Sequence, residues 1–145
     1  MNKIYVYNHD IPRLTSNIAH WHDDRNLIDG ATDLSQTEKL LEEFTELVAS
    51  LYPDKDKDFI YDEIVSMLDR LHAKDRIKPV TEANASSAKF DSIGDMYVVL
   101  VNIAERNRIS MQNCINNAWI EIKDRRGRMI NGQFVKEEDL PDGNN

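Results

Sequence analysis

The run from Ala88 to Arg106 limits what this chain can fold into more than any other stretch. Its apolar residues are Phe90, Ile93, Met96, Tyr97, Val99, Leu100, Val101 and Ile103. Set at about 100° per residue, they cover most of a helical circumference. The β-branched residues would suit a strand, but the length suits a helix, and a helix apolar nearly all round belongs in a core. One polar stripe interrupts it. Asp91, Asp95 and Asn102 fall at i, i+4 and i+11, within about 40° of one another. A carboxylate on a buried helix costs on the order of several kcal/mol unless it is paired or bound to a cation. Gly94 costs the helix about 1 kcal/mol relative to Ala, which close approach of another backbone or a ligand would explain.

A second acidic helix is expected over Gln36 to Leu51. Leu40, Leu41, Phe44, Leu47, Val48 and Leu51 recur at helical spacing and make one apolar face. Ser35 and Glu38 form a capping-box pattern, with Leu34 as a staple residue. Glu42, Glu43 and Glu46 sit off the apolar face, and Glu43 and Glu46 are i,i+3 neighbours. Spacing alone suits surface charge as well as ligation at these two, and Glu42 points to solvent. If the two acidic helices pack against each other, four or five carboxylates converge. Like charges ~4 Å apart repel by roughly 1–4 kcal/mol per pair, a cost that a divalent cation removes. All the ligands would be hard oxygens, so Mg²⁺ or Mn²⁺ fits best.

The remaining segments are read from local signals. Lys3 to Tyr7 alternates and suits a short strand. Pro12 to Asp24 carries Leu14, Ile18 and Trp21 at helical spacing. Asp54, Asp56 and Asp58 are similar to a calcium loop, but Phe59 and Val65 stand where that loop needs Gly and Glu. An N-cap and a solvated first turn are the plainer reading, ahead of an amphipathic helix from Lys57 to Ala73. Lys74 to Ser87 reads as a connection with a helical turn near Thr81. Ser110 caps a last helix bearing Met111, Ile115, Ala118, Trp119 and Ile122, with Gly127 as its terminator and Trp119 in the core. Arg128 to Val135 reads as a β-hairpin turned by Asn131-Gly132. The tail after it reads as disordered.

Composition excludes some functions. The chain has 145 residues and a net charge of −8. That charge disfavours nucleic acid or an anionic membrane surface as partner. Cys114 is the single cysteine, so an intrachain disulfide cannot form, and a reducing cytoplasm fits. No apolar run approaches the ~20 residues of a membrane span. The opening residues MNKIYVYNHD lack the apolar stretch and cleavage site of a secretory signal.

The order of these motifs resembles the all-α nucleoside triphosphate pyrophosphohydrolases, the MazG-like group. The motifs read Glu42-Glu43-Phe44-Thr45-Glu46, then Asp91-Ser92-Ile93-Gly94-Asp95, then Lys123-Asp124-Arg125-Arg126. The stretches WHDDRNLIDG and GRMINGQFVKEEDL are further similar to compact MazG-like proteins of bacteriophages. The resemblance covers roughly residues 14–51 and 88–140. It implies an all-α MazG-like helical bundle, here with a small C-terminal β-hairpin. One domain is expected over 1–145, with a flexible tail from about 137; the span 52–87 departs from the family in being longer than its usual connection and reads as a helical insertion. It also implies a homodimer or homotetramer in the cytoplasm, the host's if the gene is a phage's.

The resemblance implies an enzyme that cleaves NTPs or dNTPs to the monophosphate and pyrophosphate with Mg²⁺. Carried over, Glu43 and Glu46 match the ExxE ligands and catalytic pair, and Asp95 matches the Asp of ExxD. Ser92 stands where that motif has Glu, and Asp91, on the same stripe, is the substitute. Lys123, Arg125 and Arg126 are assigned to the outgoing pyrophosphate, Asn102 to sugar or base, and Trp21 to stacking on the base. From the residues alone, Trp21 is a core residue and the basic cluster a solvated helix end. The competing readings are a catalytically weak nucleotide- or protein-binding helical module, and a structural α-helical oligomer.

Overall fold

The first, third and fifth of the helices found among the described residues each start on a side-chain cap. In the computed structural model, which describes residues 10–141, Asp10 accepts from Arg13 N at 2.8 Å and opens α1 (Ile11–Asp24). Asp56 accepts from Phe59 N at 2.9 Å and opens α3 (Lys57–Ala73). Ser110 accepts from Asn113 N at 3.1 Å and opens α5 (Met111–Ile122). Each cap satisfies an amide that the helix cannot bond internally. The Asp56 bond also settles the Asp54–Asp58 stretch as a helix start.

Helix ends follow an equally local rule. After α1, Leu27 N donates to His22 O at 2.8 Å, and after α3, Arg76 N donates to Leu71 O at 2.8 Å. After α4 (Ala85–Arg106), Ile109 N donates to Ala104 O at 2.9 Å. These are Schellman closures, which place one residue in the left-handed region. Here that residue is Asn26, Asp75 and Arg108, with φ of 58°, 52° and 57°.

The chain divides into two compact units. One comprises residues 33–88 and contains α2 (Asp33–Leu51), α3 and a 3-10 turn, Glu82–Asn84. The five-residue link between α2 and α3 makes them a helical hairpin. Val48 and Ile60 are buried in it, and the Tyr52 and Phe59 rings meet edge to face at 5.3 Å. The Tyr52 hydroxyl donates to Glu63 Oε2 at 3.0 Å.

The other unit joins residues up to Thr32 with those from Lys89 onward. Here α1 packs on α5, and Leu14, Trp21, Leu27 and Ala104 are buried. Strands β1 (Gly127–Ile130) and β2 (Gln133–Lys136) pair antiparallel, Met129 opposite Phe134. Asn131 and Gly132 turn the hairpin with φ of 50° and 78°, as a type I′ turn demands. Among the described residues, no helix is long and apolar enough to cross a membrane.

Five expectations change. Helix α2 starts at Asp33, so Ser35 lies inside it and is not its cap; Asp33 adds a turn and places a carboxylate at the positive end of the helix dipole. Gly127 opens β1 instead of closing α5: a Cβ there would meet Val135 O and the Phe134 ring. The chain after the hairpin continues in order as a 3-10 turn, Glu137–Asp139, with Glu137 N donating to Arg126 O at 3.0 Å. Trp119 is half-buried, short of a core position. The largest change is in α4, where every residue from 89 to 100 is exposed and Ala104 alone is buried. The expected strand at Lys3–Tyr7 lies outside the described residues.

Candidate functional site

In the hairpin unit, α2 carries Glu42, Glu43 and Glu46, all exposed. Lys39 forks between the first two. Its Nζ lies 2.8 Å from Glu42 Oε1 and 3.1 Å from Glu43 Oε1. Partial burial works against the lysine charge, but the hydrogen bonds it donates to Glu42 and Glu43, with their negative charges, outweigh it and its pKa is raised. Lys39 precedes Glu42 and Glu43 by three and four residues, a helical ion-pair spacing that the sequence itself displays. Glu46 makes no ion pair or side-chain hydrogen bond among the described residues.

On α4, Asp91 and Asp95 stand one helical turn apart with Asn102 on the same stripe, and all three are exposed. Neither aspartate makes an ion pair or side-chain hydrogen bond among the described residues. The burial penalty expected for this pair is therefore not imposed by the chain alone, since the helix around it is exposed. The α2 glutamates and the α4 aspartates belong to different units. Within each unit, and among the described residues, no group of three or more His, Cys, Asp or Glu side chains gathers as a metal cluster.

The basic cluster lies where α5 hands over to the hairpin. Arg125 and Arg126 line an open groove of about 650 Å³ together with Lys136. Glu121, Asp124, Glu137 and Glu138 line it as well. Three cations face four anions, so the groove is not a strongly electropositive cradle for phosphate. Lys123 caps the end of α5, with its Nζ 3.9 Å from Asp124 Oδ2. The acidic half of this groove comes partly from Glu137 and Glu138, residues that were expected to be unstructured.

Trp21 occupies the core of its unit at 7% exposure. The Phe134 and His22 rings meet it edge-on at 5.4 and 5.3 Å. The Arg25 guanidinium lies over it at 4.5 Å. Arg25 Nε also donates to Arg125 O at 3.0 Å, tying the end of α1 to the end of α5. The burial is that of a core residue and corrects the base-stacking role, which needs an open ring face. Trp21 Nε1 is buried without a hydrogen-bond partner among the described residues. Sequence patterns could not have found Arg25, whose partner is 100 residues away.

No protein family model matches the chain, and no solved structure matches it. The chain is similar to an uncharacterized 18.2 kDa protein in the rep-hol intergenic region of Haemophilus phage HP1. The two are 36% identical over 100 residues, which is 69% of this chain and 43% of the phage protein. The chain thus matches less than half the length of that relative.

Proposed function

We propose that the chain is a Mg²⁺-dependent nucleoside triphosphate pyrophosphohydrolase, cleaving NTP or dNTP to the monophosphate and pyrophosphate. The observation that carries the reading is the state of the acidic pairs. Glu46 lies one turn from Glu43 on α2, Asp91 and Asp95 lie one turn apart on α4, and none of Glu46, Asp91 and Asp95 makes an ion pair or side-chain hydrogen bond among the described residues. The motif resemblance supplies the reaction.

The donor chemistry fits the metal. Each pair offers hard carboxylate oxygens from a regular helix, which suits Mg²⁺ or Mn²⁺ over softer ions. When bound, Mg²⁺ would offset the roughly four negative charges of a triphosphate and make a water acidic enough for in-line attack on the α-phosphorus. Glu46 and Glu43 would hold the metal, and a glutamate carboxylate left free of it would serve as the base that accepts a proton from water. Asp91 substitutes for the motif Glu displaced by Ser92, and Asp95 keeps its place. The resemblance assigns Lys123, Arg125 and Arg126 to the outgoing pyrophosphate, a role that the mixed charge of the groove at Arg125 and Arg126 does not by itself favour, and Asn102 to sugar or base. A homodimer or dimer of dimers is the working form that the resemblance implies, acting in a cytoplasm.

The deciding experiment is a panel of NTPs and dNTPs with Mg²⁺, scored for pyrophosphate against orthophosphate. Pyrophosphate release that Glu46→Ala and Asp95→Ala each abolish supports the reading. If no nucleotide is turned over yet one raises the melting temperature with Mg²⁺, the chain is a nucleotide-binding module instead.

A further inference from the structure

The hairpin of β1 and β2 is the one sheet among the described residues, and its register fixes which backbone groups it leaves free. Glu137 N donates to Arg126 O, so these two form a hydrogen-bonded pair, and bonded and non-bonded pairs alternate from there along the ladder. Arg128 and Val135 therefore bond each other, as do Ile130 and Gln133. Gly127 and Met129 on β1, and Phe134 and Lys136 on β2, turn their N–H groups outward. Among the described residues none of those four amides has a backbone partner. Two strands alone are marginal in water and depend on a third strand or a helix. The 3-10 turn after β2 packs back on β1. Strand β2, whose Phe134 ring meets Trp21 of α1, keeps the more open edge.

We infer that the outer edge of β2 is a strand-docking edge, and that its occupant is the chain's own segment Lys3–Tyr7, which lies outside the described residues. Pattern, reach and charge choose this occupant. The sequence KIYVY alternates β-branched and aromatic residues, as a strand does, and a strand needs a ladder to join. Asp10 opens α1, and Trp21 stands eleven residues on, about 16 Å along the helix. Lys3 to His9 is seven residues, about 23 Å when extended, so the segment can run back along α1 to the level of Phe134. Asn8 and His9, before the Asp10 cap, make a link of ordinary length between a strand and a helix. Residues 1–9 carry Lys3 and no Asp or Glu, in a chain of net charge −8, while β2 runs on into Glu137, Glu138 and Asp139. Augmentation of a sheet edge takes its affinity from main-chain hydrogen bonds, which Phe134 and Lys136 have to give. Helix α1 would then be tied near the hairpin at both ends, by this strand before its start and by the Arg25 bond to Arg125 O after its end. The inference does not depend on the nucleotide reading.

Amide hydrogen exchange of the full chain, followed residue by residue by NMR, tests this. The Phe134 and Lys136 amides are expected to exchange at least about tenfold more slowly than those of Gly127 and Met129 on the other edge. Prolines at neighbouring positions then separate pairing from packing. Successive N–H groups of a strand point to opposite sides, so an edge strand tolerates proline only where the N–H faces away from the ladder. Of Tyr5→Pro and Val6→Pro, one is expected to release Phe134 and Lys136 to the rate of Gly127 and Met129, and the other to leave them slow. The Val135 amide, bonded within the hairpin, stays slow in both and reports that the hairpin still folds. Wild-type amides of β2 that exchange as fast as those of β1 overturn the inference, a readout that needs no variant to fold. So do two prolines of equal effect, which would mean that no ladder forms there. Protection that fades on dilution overturns it as well and gives the edge to a second copy.

Discussion

The guanidinium of Arg25 lies over the indole of Trp21, 4.5 Å from the ring centroid. The same side chain donates to Arg125 O, so one residue joins the end of α1 to the end of α5. A cation over an aromatic face and a charged hydrogen bond are together worth about 1–3 kcal/mol. Arg25→Ala is expected to lower stability by about that much in urea unfolding followed by tryptophan fluorescence. Arg25→Lys should recover less than half, because an ammonium lacks the planar fork that stacks and donates at once. Full recovery by Lys would show that charge alone matters there.

The glycines of β1 and α4 make opposite predictions. A Cβ at Gly127 would press on Val135 O and the Phe134 ring, while one at Gly94 meets nothing within 4 Å. Gly127→Ala is expected to cost about 1–3 kcal/mol, the usual range for overpacking. Gly94→Ala should raise the stability of α4 by about 1 kcal/mol. Thermal unfolding at low protein concentration reads both.

His22 gives the fold a pH dependence. Burial disfavours its charged form and lowers its pKa from the ordinary 6.5. The unfolded chain therefore binds more protons than the folded one between the lowered value and 6.5, and stability rises with pH across that window. On acidification the contribution is lost from about pH 6.5 downward, until the folded histidine also protonates. His22→Gln is expected to flatten the stability profile in this window. A slope as steep as wild type would place its origin elsewhere.

Lys39 competes with any cation for Glu43. Removing it as Lys39→Met frees both glutamates and should tighten Mg²⁺ binding several-fold, seen by calorimetry. Glu42→Gln leaves the lysine to Glu43 alone and should weaken it. If neither change moves Mg²⁺ affinity, Glu43 is not a ligand.

Asp56 caps α3 through Phe59 N. Asp56→Ala is expected to cost about 1 kcal/mol, as loss of an N-cap does. Millimolar Ca²⁺ should leave the melting temperature of wild type where it is. A rise with Ca²⁺ that Asp56→Ala removes would restore the calcium-loop reading.

What could be read from the chain was whatever local chemistry decides. Helix α3 runs from Lys57 to Ala73, the bounds its caps and spacing predict, because Asp56 and Tyr52-Pro53 act on their own neighbours. The Asn131-Gly132 turn is legible for the same reason: both residues accept a positive φ. Helix α4 was legible as a helix and misjudged as covered. Periodicity reports that a face is apolar, not which molecule lies on it. Ser35 misled because Asp33 and Thr32 offer a rival start two or three residues earlier. At the candidate site, the acidic pairs stand on the helices expected of them. The Arg25 link and the acid-lined groove at Arg125 depend on partners far along the chain, which spacing cannot show.

The unit built on Trp21 is assembled from both ends of the described chain, with residues 33–88 lying between them in sequence. This has a consequence for synthesis. Trp21 leaves the ribosome long before its partner Phe134, and at about 5–20 residues per second the wait is on the order of ten seconds. For most of that interval α1 has no α5 to pack on, whereas the α2–α3 hairpin is whole once Ala73 has been made. The newborn chain therefore has a second-made, first-folded segment. Its amphipathic N-terminal helix is the stretch that a chaperone would meet.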